Sequence, residues 1–366
     1  MEKKCGKGTS HCHETSDAEK LCKTPVVSIL MITYNHGPYI RQAIEGVVRQ
    51  ETDFDYELVI GEDCSKDGTR DICLEYQKKF PSKIRVLWSD TNVNVSENWD
   101  RTRERCRGEY IAFCEGDDYW TDTRKLQKQV EVLKRNPGVA FCFSRAELFF
   151  ENTGERKIWD CNTRIPSGII PGRLFLKWHS FGRKAGAPSE EIEFLMTATI
   201  LARRSLVDRL EEEETVFRWQ LLLLDTTYWS GLASLGDVYY LPDVVSVYRI
   251  NQGGICMRNP FGVCRDTQII RLYWMERTGL GDEAQYSFVY GRLFSMRLRN
   301  VLLARPKDRI KEARAILALG EFKEVHGLFR CFVVFCSKWW MPMRLLLAGV
   351  TALSTLRRKL LSDGSR

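Results

Sequence analysis

The sequence of 366 residues has little of what marks membrane-spanning and secreted proteins. It contains no uninterrupted apolar stretch of eighteen residues, so it predicts no transmembrane helix. Its first twenty residues are polar throughout and do not resemble a signal peptide. Cysteine is plentiful, with 13 residues, but the number is odd and the spacing irregular. We therefore expect reduced thiols in a cytoplasmic protein.

Two common phosphate-binding motifs are also missing. No GxGxxG follows the first strand-like segment, which argues against a dinucleotide-binding dehydrogenase. The missing GxxxxGK[ST] argues against a P-loop enzyme. The cysteines and histidines near the N-terminus fit no closed four-ligand zinc spacing, so we expect residues 1–24 to form a flexible tail.

The positive charge of the chain is concentrated at its C-terminus. Residues 301–366 contain 13 Lys and Arg against five Asp and Glu, while the whole chain has a formal charge of only +7. An apolar, aromatic stretch in this region is interrupted by Arg330, Lys338 and Arg344. Such interleaving is typical of a segment lying in the headgroup region of an anionic membrane, and ordinary core helices with a charged face are the alternative. We expect no nucleic-acid partner.

Strand-like and helix-like patterns alternate through the first 150 residues. Apolar runs separated by segments of helical periodicity predict five strands. Strand, helix and strand at this interval favour parallel pairing with right-handed crossovers. The fold class is therefore α/β, with an open, mostly parallel sheet flanked by helices. The predicted strands are Val26–Tyr34, Tyr56–Ile60, Ile84–Trp88, Gly108–Cys114 and Val139–Ser144.

An acidic cluster, CEGDDYW at 114–120, follows the fourth predicted strand directly. Like charges this close raise each other's pKa unless a cation lies between them. Ligands of open α/β sheets bind beyond the carboxyl ends of the strands, where polar residues also follow the first two strands. Carboxylate oxygens select Mg²⁺ or Mn²⁺, which bridge phosphate oxygens. The pattern predicts a metal and a nucleotide in one crevice, and a plain acidic turn is the alternative.

Three segments of the chain carry a family resemblance. They read VSILMITYNHGPYIRQAIEGVVRQ, YELVIGEDCSKDGTRDI and GEYIAFCEGDDYWTDTRKLQKQVEVLKRNPGVAFCFS. In this order they resemble the family 2 glycosyltransferases, which have the GT-A fold. The resemblance covers residues 25–145 well and 221–254 more weakly. It implies an inverting transferase that displaces a nucleotide diphosphate from a sugar in one step.

The resemblance also implies roles for individual residues. Tyr34 would stack on the nucleotide base, and Asp63 would accept a hydrogen bond from it. Asp225, which follows an apolar run, would take the proton of the acceptor hydroxyl; a helix-capping Asp is the plain alternative. The cofactor would be Mn²⁺ or Mg²⁺, held by Glu115, Asp117 and Asp118. The expected nucleotide-sugar contacts are Thr33, Tyr34, Asn35, Glu62, Asp63, Asn98 and Asp117.

Two positions depart from the family pattern. The histidine that often follows the Tyr-Arg pair by two residues is replaced by Asn251, which puts a third protein ligand to the metal in doubt. The arginine that many members place on the diphosphate is not evident near Asn98, where Arg101, Arg103 and Arg105 are the available substitutes.

These patterns predict three regions. Residues 1–24 form the tail, residues 25–260 the GT-A domain with a nucleotide-sugar half (25–145) and an acceptor half (146–260), and residues 261–366 a basic, helical, membrane-associating extension. We expect sugar transfer from a nucleotide-sugar, specifically a UDP-sugar, to a glycan or lipid-linked acceptor of surface polysaccharide, on the inner face of the cell membrane. A non-catalytic nucleotide-binding scaffold is the alternative. A nucleotidyltransferase needs a Gly- and Arg-rich N-terminal loop that the chain lacks.

Overall fold

A computed structural model describes residues 12–159, 165, 167–181, 195–213 and 224–280. They fall in a compact unit spanning Met1–Gly281. The second unit, Asp282–Arg366, lies outside the described residues, and with it most of the predicted extension. Among the residues that the structure describes, no helix combines the length and the hydropathy needed to cross a bilayer.

Eleven strands in the described ranges join into one mixed sheet. They are β1 (Cys12–Thr15), β2 (Val27–Thr33), β3 (Tyr56–Glu62), β4 (Ile84–Ser89), β5 (Tyr110–Phe113), β6 (Tyr119–Trp120), β7 (Val139–Phe150), β8 (Glu155–Trp159), β9 (Gly168–Ile170), β10 (Leu201–Arg203) and β11 (Asp237–Ile250). The main order is β1-β4-β3-β2-β5-β10-β7-β11-β6, with β8 beside β7 and β9 beside β11. Strands β4, β3, β2 and β5 are mutually parallel, so their carboxyl ends share one edge.

Helices cover both faces of the sheet. They are α1 (Ile40–Val48), α2 (Thr69–Lys79), α3 (Val95–Arg103), α4 (Lys125–Arg135), α5 (Gly172–Phe181), α6 (Arg204–Glu213), α7 (Leu224–Leu235), α8 (Ile255–Arg258) and α9 (Pro260–Thr278). Alternate residues of each strand point to opposite faces. Ile29 and Met31 therefore pack with α1, α2 and α4, while Leu30 packs with α3, α5, α6, α7 and α9.

The α/β fold class and the strand–helix alternation are confirmed, with three differences. Residues Cys12–Thr15, which we expected within a flexible tail, form an edge strand antiparallel to β4. There the His13 ring stacks on Trp88, with ring centroids 4.1 Å apart. The three-residue strand β10 lies antiparallel between β5 and β7, which sequence periodicity did not predict. The fifth predicted strand continues to Phe150, because its second half pairs with both β11 and β8.

Candidate active site

Three loops meet beyond the carboxyl ends of β2, β3 and β5. The Asp63 N–H donates to the Thr33 carbonyl at 3.1 Å, and the Gly116 N–H donates to the Ile32 carbonyl at 3.0 Å. A side chain at Gly116 would place its Cβ 2.7 Å from Thr33 Oγ1 and 2.9 Å from His36 Nδ1. Only glycine therefore allows the acidic loop to lie against the loop that follows β2.

The loop after β2 presents an aromatic ring on a fixed backbone. Tyr34 is 41% exposed, which is unusual for so large an apolar side chain in this protein. Asn35 has a left-handed backbone (φ 56°), a conformation that asparagine tolerates better than most residues. Its N–H donates to Ser65 Oγ, and its Oδ1 accepts from the Lys66 N–H, both at 2.9 Å. Asn35 thus ties the loops after β2 and β3 together beside the Tyr34 ring.

Asp63 lies at the end of β3 and is only 2% exposed. Its Oδ1 accepts the Val93 N–H at 2.7 Å, which holds the loop before α3 against the end of the strand. Burial raises the pKa of the Asp63 carboxyl, and the Val93 N–H and Arg101 oppose this rise. The structure places Asp63 and Tyr34 on neighbouring strand ends, as the sequence predicts.

Glu62 and Asn98, which we expect to contact the donor, are buried at the end of β3 and hydrogen-bonded within the protein. Glu62 is fully buried, with its carboxylate bound by the Ser65 N–H and by Arg70 Nε at 2.6 Å. The Asn98 amide donates to the Gly61 carbonyl at 2.9 Å, and its Oδ1 accepts from Arg101. Both side chains have their hydrogen-bonding groups engaged within the protein, so they support the strand end.

The acidic loop carries two carboxyl groups with strongly perturbed acidity. Burial raises the pKa of Glu115 to about 8, and the charges of Asp225 and Asp117 add to the rise. Burial, with the charges of Asp117 and Glu115, raises the pKa of Asp118 well above its usual range. Within the described ranges, no lysine or arginine forms an ion pair with Glu115 or Asp118. These groups are therefore poorly accommodated as bare anions.

The end of β11 holds the acidic loop from the side. The Arg249 N–H donates to Asp118 Oδ1, and Arg249 Nε donates to the Asp117 carbonyl, both at 2.9 Å. The guanidinium lies over the rings of Tyr39 and Tyr119, 4.8 and 5.3 Å from their centroids. Asn251, at the position of the missing histidine, donates its amide to Asp117 Oδ2 at 3.1 Å. Arg249 and Asn251 thus fix the loop through the pair of strands β7 and β11.

The three expected metal ligands do not form one closed set. Asp117 faces Asn251 and His36, Asp118 faces the Arg249 backbone, and Glu115 faces Asp225. Nowhere in the described ranges do three acidic, histidine or cysteine side chains converge closely enough to hold an ion. The assignment of Glu115, Asp117 and Asp118 as metal ligands therefore stays a prediction.

The chemistry of the loop still fits a hard cation. Mg²⁺ is usually bound through one or two carboxylates plus substrate phosphates, without a complete protein cage. Glu115 Oε2, Thr33 Oγ1 and His36 Nδ1 are buried polar atoms with no hydrogen-bond partner among the described residues, and all three belong to the loops that meet here. Buried oxygen atoms without partners beside acidic groups of raised pKa suit a bound cation and its ligands.

Asp225 is brought to this loop from a distant part of the chain. It is the second residue of α7, and its charge is among the causes of the raised Glu115 pKa. Its Oδ1 accepts the Thr226 N–H at 2.7 Å, and its Oδ2 accepts the Thr197 hydroxyl at 3.1 Å. Burial raises the pKa of Asp225, opposed by these hydrogen bonds. A carboxylate of raised pKa is a stronger proton acceptor than an ordinary aspartate.

Two comparisons of sequence agree with this geometry. The sequence profile of Glycosyl transferase family 2 matches residues 28–210, half of the chain. The chain belongs to glycosyltransferase family 2. An uncharacterised protein of Mycobacterium tuberculosis is 31% identical over 229 residues, which are 63% of this chain and 60% of that protein. The chain thus spans less than two thirds of the length of this relative.

Two further proteins are similar to this chain, one in sequence and one in structure. TuaG of Bacillus subtilis, named as a glycosyltransferase of teichuronic acid biosynthesis, is 34% identical over 128 residues, 35% of this chain and 49% of TuaG. The structure of Staphylococcus aureus TarS 1–349 with UDP-GlcNAc superposes with a TM-score of 0.51 at 17% identity, over 81% of this chain and 80% of TarS 1–349. At that identity the likeness shows the fold alone. The expected family and the GT-A fold are confirmed.

Sequence reasoning missed two residues of the site. Thr197 gave no signal, because it lies in a short apolar segment, LMTATIL, with no charge or motif. Arg249 was noted only as half of a Tyr-Arg pair, and its contacts with the acidic loop depend on the parallel pairing of β7 with β11. Tyr228 and Trp229, which follow Asp225 in α7, are buried in the core.

Proposed function

We propose that this protein transfers a sugar from a UDP-sugar to a glycan or lipid-linked acceptor of surface polysaccharide, with inversion at the anomeric carbon. The observation that carries the proposal is the meeting of Asp225 with the acidic loop. These residues are more than a hundred positions apart in sequence, yet Asp225 accepts a hydrogen bond from Thr197, whose turn packs against β5, the strand that the acidic loop follows. The Asp225 charge also contributes to the raised Glu115 pKa. A base beside a cation-binding loop is what a single displacement of a diphosphate requires.

The acceptor hydroxyl would lose its proton to Asp225 as its oxygen attacks the anomeric carbon and the sugar–phosphate bond breaks. The electrons of that bond leave with the nucleoside diphosphate. A divalent cation, Mn²⁺ or Mg²⁺, would neutralise the diphosphate when bound. Asp118, Glu115 and Asp117 are the residues placed to hold it. Arg249 and Asn251 keep their loop in position from β11.

At the other end of the donor, Tyr34 and Asp63 would bind the base. An exposed ring provides a stacking surface, and a buried carboxylate beside it accepts an N–H from the base. Thr33 and Asn35 hold the loop between them through the contacts described above. The TarS structure contains UDP-GlcNAc, and TuaG is named for teichuronic acid synthesis. UDP-GlcNAc is therefore the first donor to test, and anionic cell-wall polymers are the first acceptors.

The deciding experiment measures nucleoside diphosphate release, UDP or GDP, from a panel of UDP- and GDP-sugars with Mn²⁺, with Mg²⁺ and with EDTA. We expect metal-dependent release from one donor, lost in Asp118→Asn and in Asp225→Asn. Asp71→Asn, which makes the same change at an exposed position of α2, is the control. Metal-dependent UDP binding without release, in the presence of cell-wall acceptors, would favour the non-catalytic scaffold.

Membrane association is proposed from sequence alone, because residues 301–366 lie outside the described residues. Its support is the net positive charge and the interleaved aromatic residues of this segment. Replacing Arg357, Arg358 and Lys359 by glutamate in the full chain should reduce co-sedimentation with vesicles containing phosphatidylglycerol. Equal sedimentation of both proteins with these vesicles would exclude the electrostatic part of the proposal.

A further inference from the structure

We propose that Thr197 is a positioning residue that fixes the orientation of the Asp225 carboxylate for proton transfer. The inference rests on the function proposed above, in which Asp225 is the base. It begins from the only side chain outside α7 that donates a hydrogen bond to Asp225 among the described residues, the Thr197 hydroxyl at 3.1 Å from Oδ2.

The orientation of a carboxylate is fixed when each of its two oxygens accepts a hydrogen bond. The Thr226 N–H binds Oδ1 at 2.7 Å from within α7 itself. On its own this bond leaves the carboxylate free to rotate about its last side-chain torsion, which is broad for aspartate. The Thr197 hydroxyl binds the other oxygen from a different element and so removes that freedom. Each carboxylate oxygen has about two acceptor sites, so Oδ2 can bind Thr197 and still accept the acceptor's proton.

The turn that carries Thr197 is itself firmly held. Thr197 begins a 3₁₀ turn, Thr197–Thr199, that packs between β5, β7 and β11. Trp120 Nε1 donates to the Ala198 carbonyl at 2.9 Å, and Gln129 Nε2 donates to the Thr199 carbonyl at 2.7 Å. Thr197 is only 7% exposed. A buried hydroxyl on a rigid turn provides the kind of supporting contact that keeps a catalytic group in place.

Thr197 also lies between the two functional parts of the site. The Thr197 side chain is also among the groups that oppose the rise in the Glu115 pKa. The same hydroxyl therefore neighbours the base and the first carboxylate of the acidic loop. Thr197 thus lies beside both the group that takes the proton and the loop assigned to the departing diphosphate.

The test compares Thr197→Val, Thr197→Ser and the matched control Thr199→Val. Valine keeps the shape of threonine and removes the hydroxyl, while serine keeps the hydroxyl. Thr199 lies on the same turn and is equally buried, but its hydroxyl donates to the Met196 carbonyl at 2.7 Å and does not bind Asp225. We expect kcat to fall about 10-fold to 100-fold in Thr197→Val, since a misplacement of about 1 Å has effects of that size.

Comparison of kcat, KM and UDP affinity among these variants distinguishes a positioning role of Thr197 from a general disruption of the fold. In Thr197→Val we expect the KM for the donor and the affinity for UDP with Mn²⁺ to stay within about twofold of wild type. Thr197→Ser should recover most of kcat, and Thr199→Val should retain it. Unchanged kcat in Thr197→Val would overturn the proposal. So would equal losses in the valine and serine variants, or a matching loss of UDP affinity.

Crystal structures of the wild type, Thr197→Val and Thr197→Ser test the position of Asp225 without turnover. We expect the carboxylate to rotate in the valine variant and to keep its place in the serine variant. An unmoved carboxylate in Thr197→Val contradicts the inference. A wild-type protein that releases no UDP from any donor would count against the proposed function, whereas these structures would still decide what Thr197 does.

Discussion

Buried carboxylates lie at both ends of the parallel strands, and Glu57 at the amino ends differs in its surroundings from Glu115 and Asp118 beyond the carboxyl ends. At the amino ends, Glu57 is fully buried but accepts from Ser28 Oγ at 2.6 Å, Arg107 Nε at 2.9 Å and Arg85 Nη1 at 3.2 Å. These partners hold the Glu57 pKa below its usual value in spite of burial. At the carboxyl ends, the pKa values of Glu115 and Asp118 are raised.

The difference shows which buried charges serve the fold and which serve function. Glu57 is satisfied by its own chain, and Arg85 also binds Glu14, which ties strand β1 to the sheet. The acidic loop is not satisfied in this way, and groups with such perturbed pKa values cluster at functional sites. Glu57 therefore stabilises the fold, whereas the acidic loop has the unpaired carboxyl groups that we propose bind a cation.

The largest expected effect concerns activity at the carboxyl ends. Asp225→Asn should lower kcat by about 10²-fold to 10⁴-fold, because a general base contributes about this much. The free energy of unfolding should remain close to that of wild type. Steady-state UDP release and urea unfolding measure the two quantities. Wild-type kcat in this variant would remove Asp225 from the reaction.

The next effect concerns stability at the amino ends. Glu57→Gln should lower the free energy of unfolding by about 3–5 kcal/mol, because it removes the buried counter-charge of Arg107 and leaves Arg85 with Glu14 alone. Asp118→Asn is the matched change at the other end, and in EDTA it should leave stability unchanged or raise it. Equal destabilisation by both substitutions, measured by urea unfolding, would contradict the proposed difference between Glu57 and Asp118.

A cation should stabilise the folded protein through the acidic loop. At a Mn²⁺ concentration about 100 times its Kd, the free energy of unfolding should rise by about 2.7 kcal/mol. Asp118→Asn should lose this gain, whereas Asp71→Asn should keep it. Thermal unfolding with Mn²⁺ and with EDTA measures the shift. A gain of the same size in Asp118→Asn would place the bound cation elsewhere on the protein.

The two ends should respond to pH with opposite sign. The Glu57 pKa is lowered on folding, so the stability it contributes is present above its unfolded pKa and is lost as pH falls through the folded value. The Glu115 pKa is raised from 4.5 to about 8, so its folded form binds the proton more tightly and stability falls as pH rises between these values.

Urea midpoints of the metal-free protein between about pH 5 and pH 9 measure this dependence. Glu115→Gln carries no titrating group and should flatten the decline on the alkaline side, while saturating Mn²⁺ should flatten it in wild type. An alkaline decline of the same steepness in Glu115→Gln would show that other groups cause it.

The sequence was sufficient for the parts of the molecule that local patterns determine. Strands β2 to β5 are short, mostly apolar segments, and CEGDDYW follows one of them, so the sheet and the acidic loop were predictable together. Strand β10 has three residues, and its place between β5 and β7 depends on tertiary pairing and not on propensity. Strand β1 is polar and joins the sheet through Arg85 and Trp88.

Residue contacts across the site were less predictable than the strands. Asp225 was identified because a charged residue after an apolar run is unusual. No comparable sequence feature distinguishes its neighbour Thr197. Glu62 and Asn98 lie in the expected segments, yet their hydrogen bonds to Arg70 and Gly61 turn them into supports beneath the site. Sequence periodicity assigns a residue to a helix or strand, but only the folded structure shows which group its side chain hydrogen-bonds.

The most direct test of the account is the affinity for UDP, measured by calorimetry with Mn²⁺ and with EDTA, for the wild type and for Asp118→Asn. Coupling between two ligands of one site commonly changes affinity about 5-fold to 150-fold, and we expect Mn²⁺ to tighten UDP binding within that range in the wild type only. An equal affinity of the wild type for UDP with Mn²⁺ and with EDTA would contradict the claim that the acidic loop joins a cation to the nucleotide.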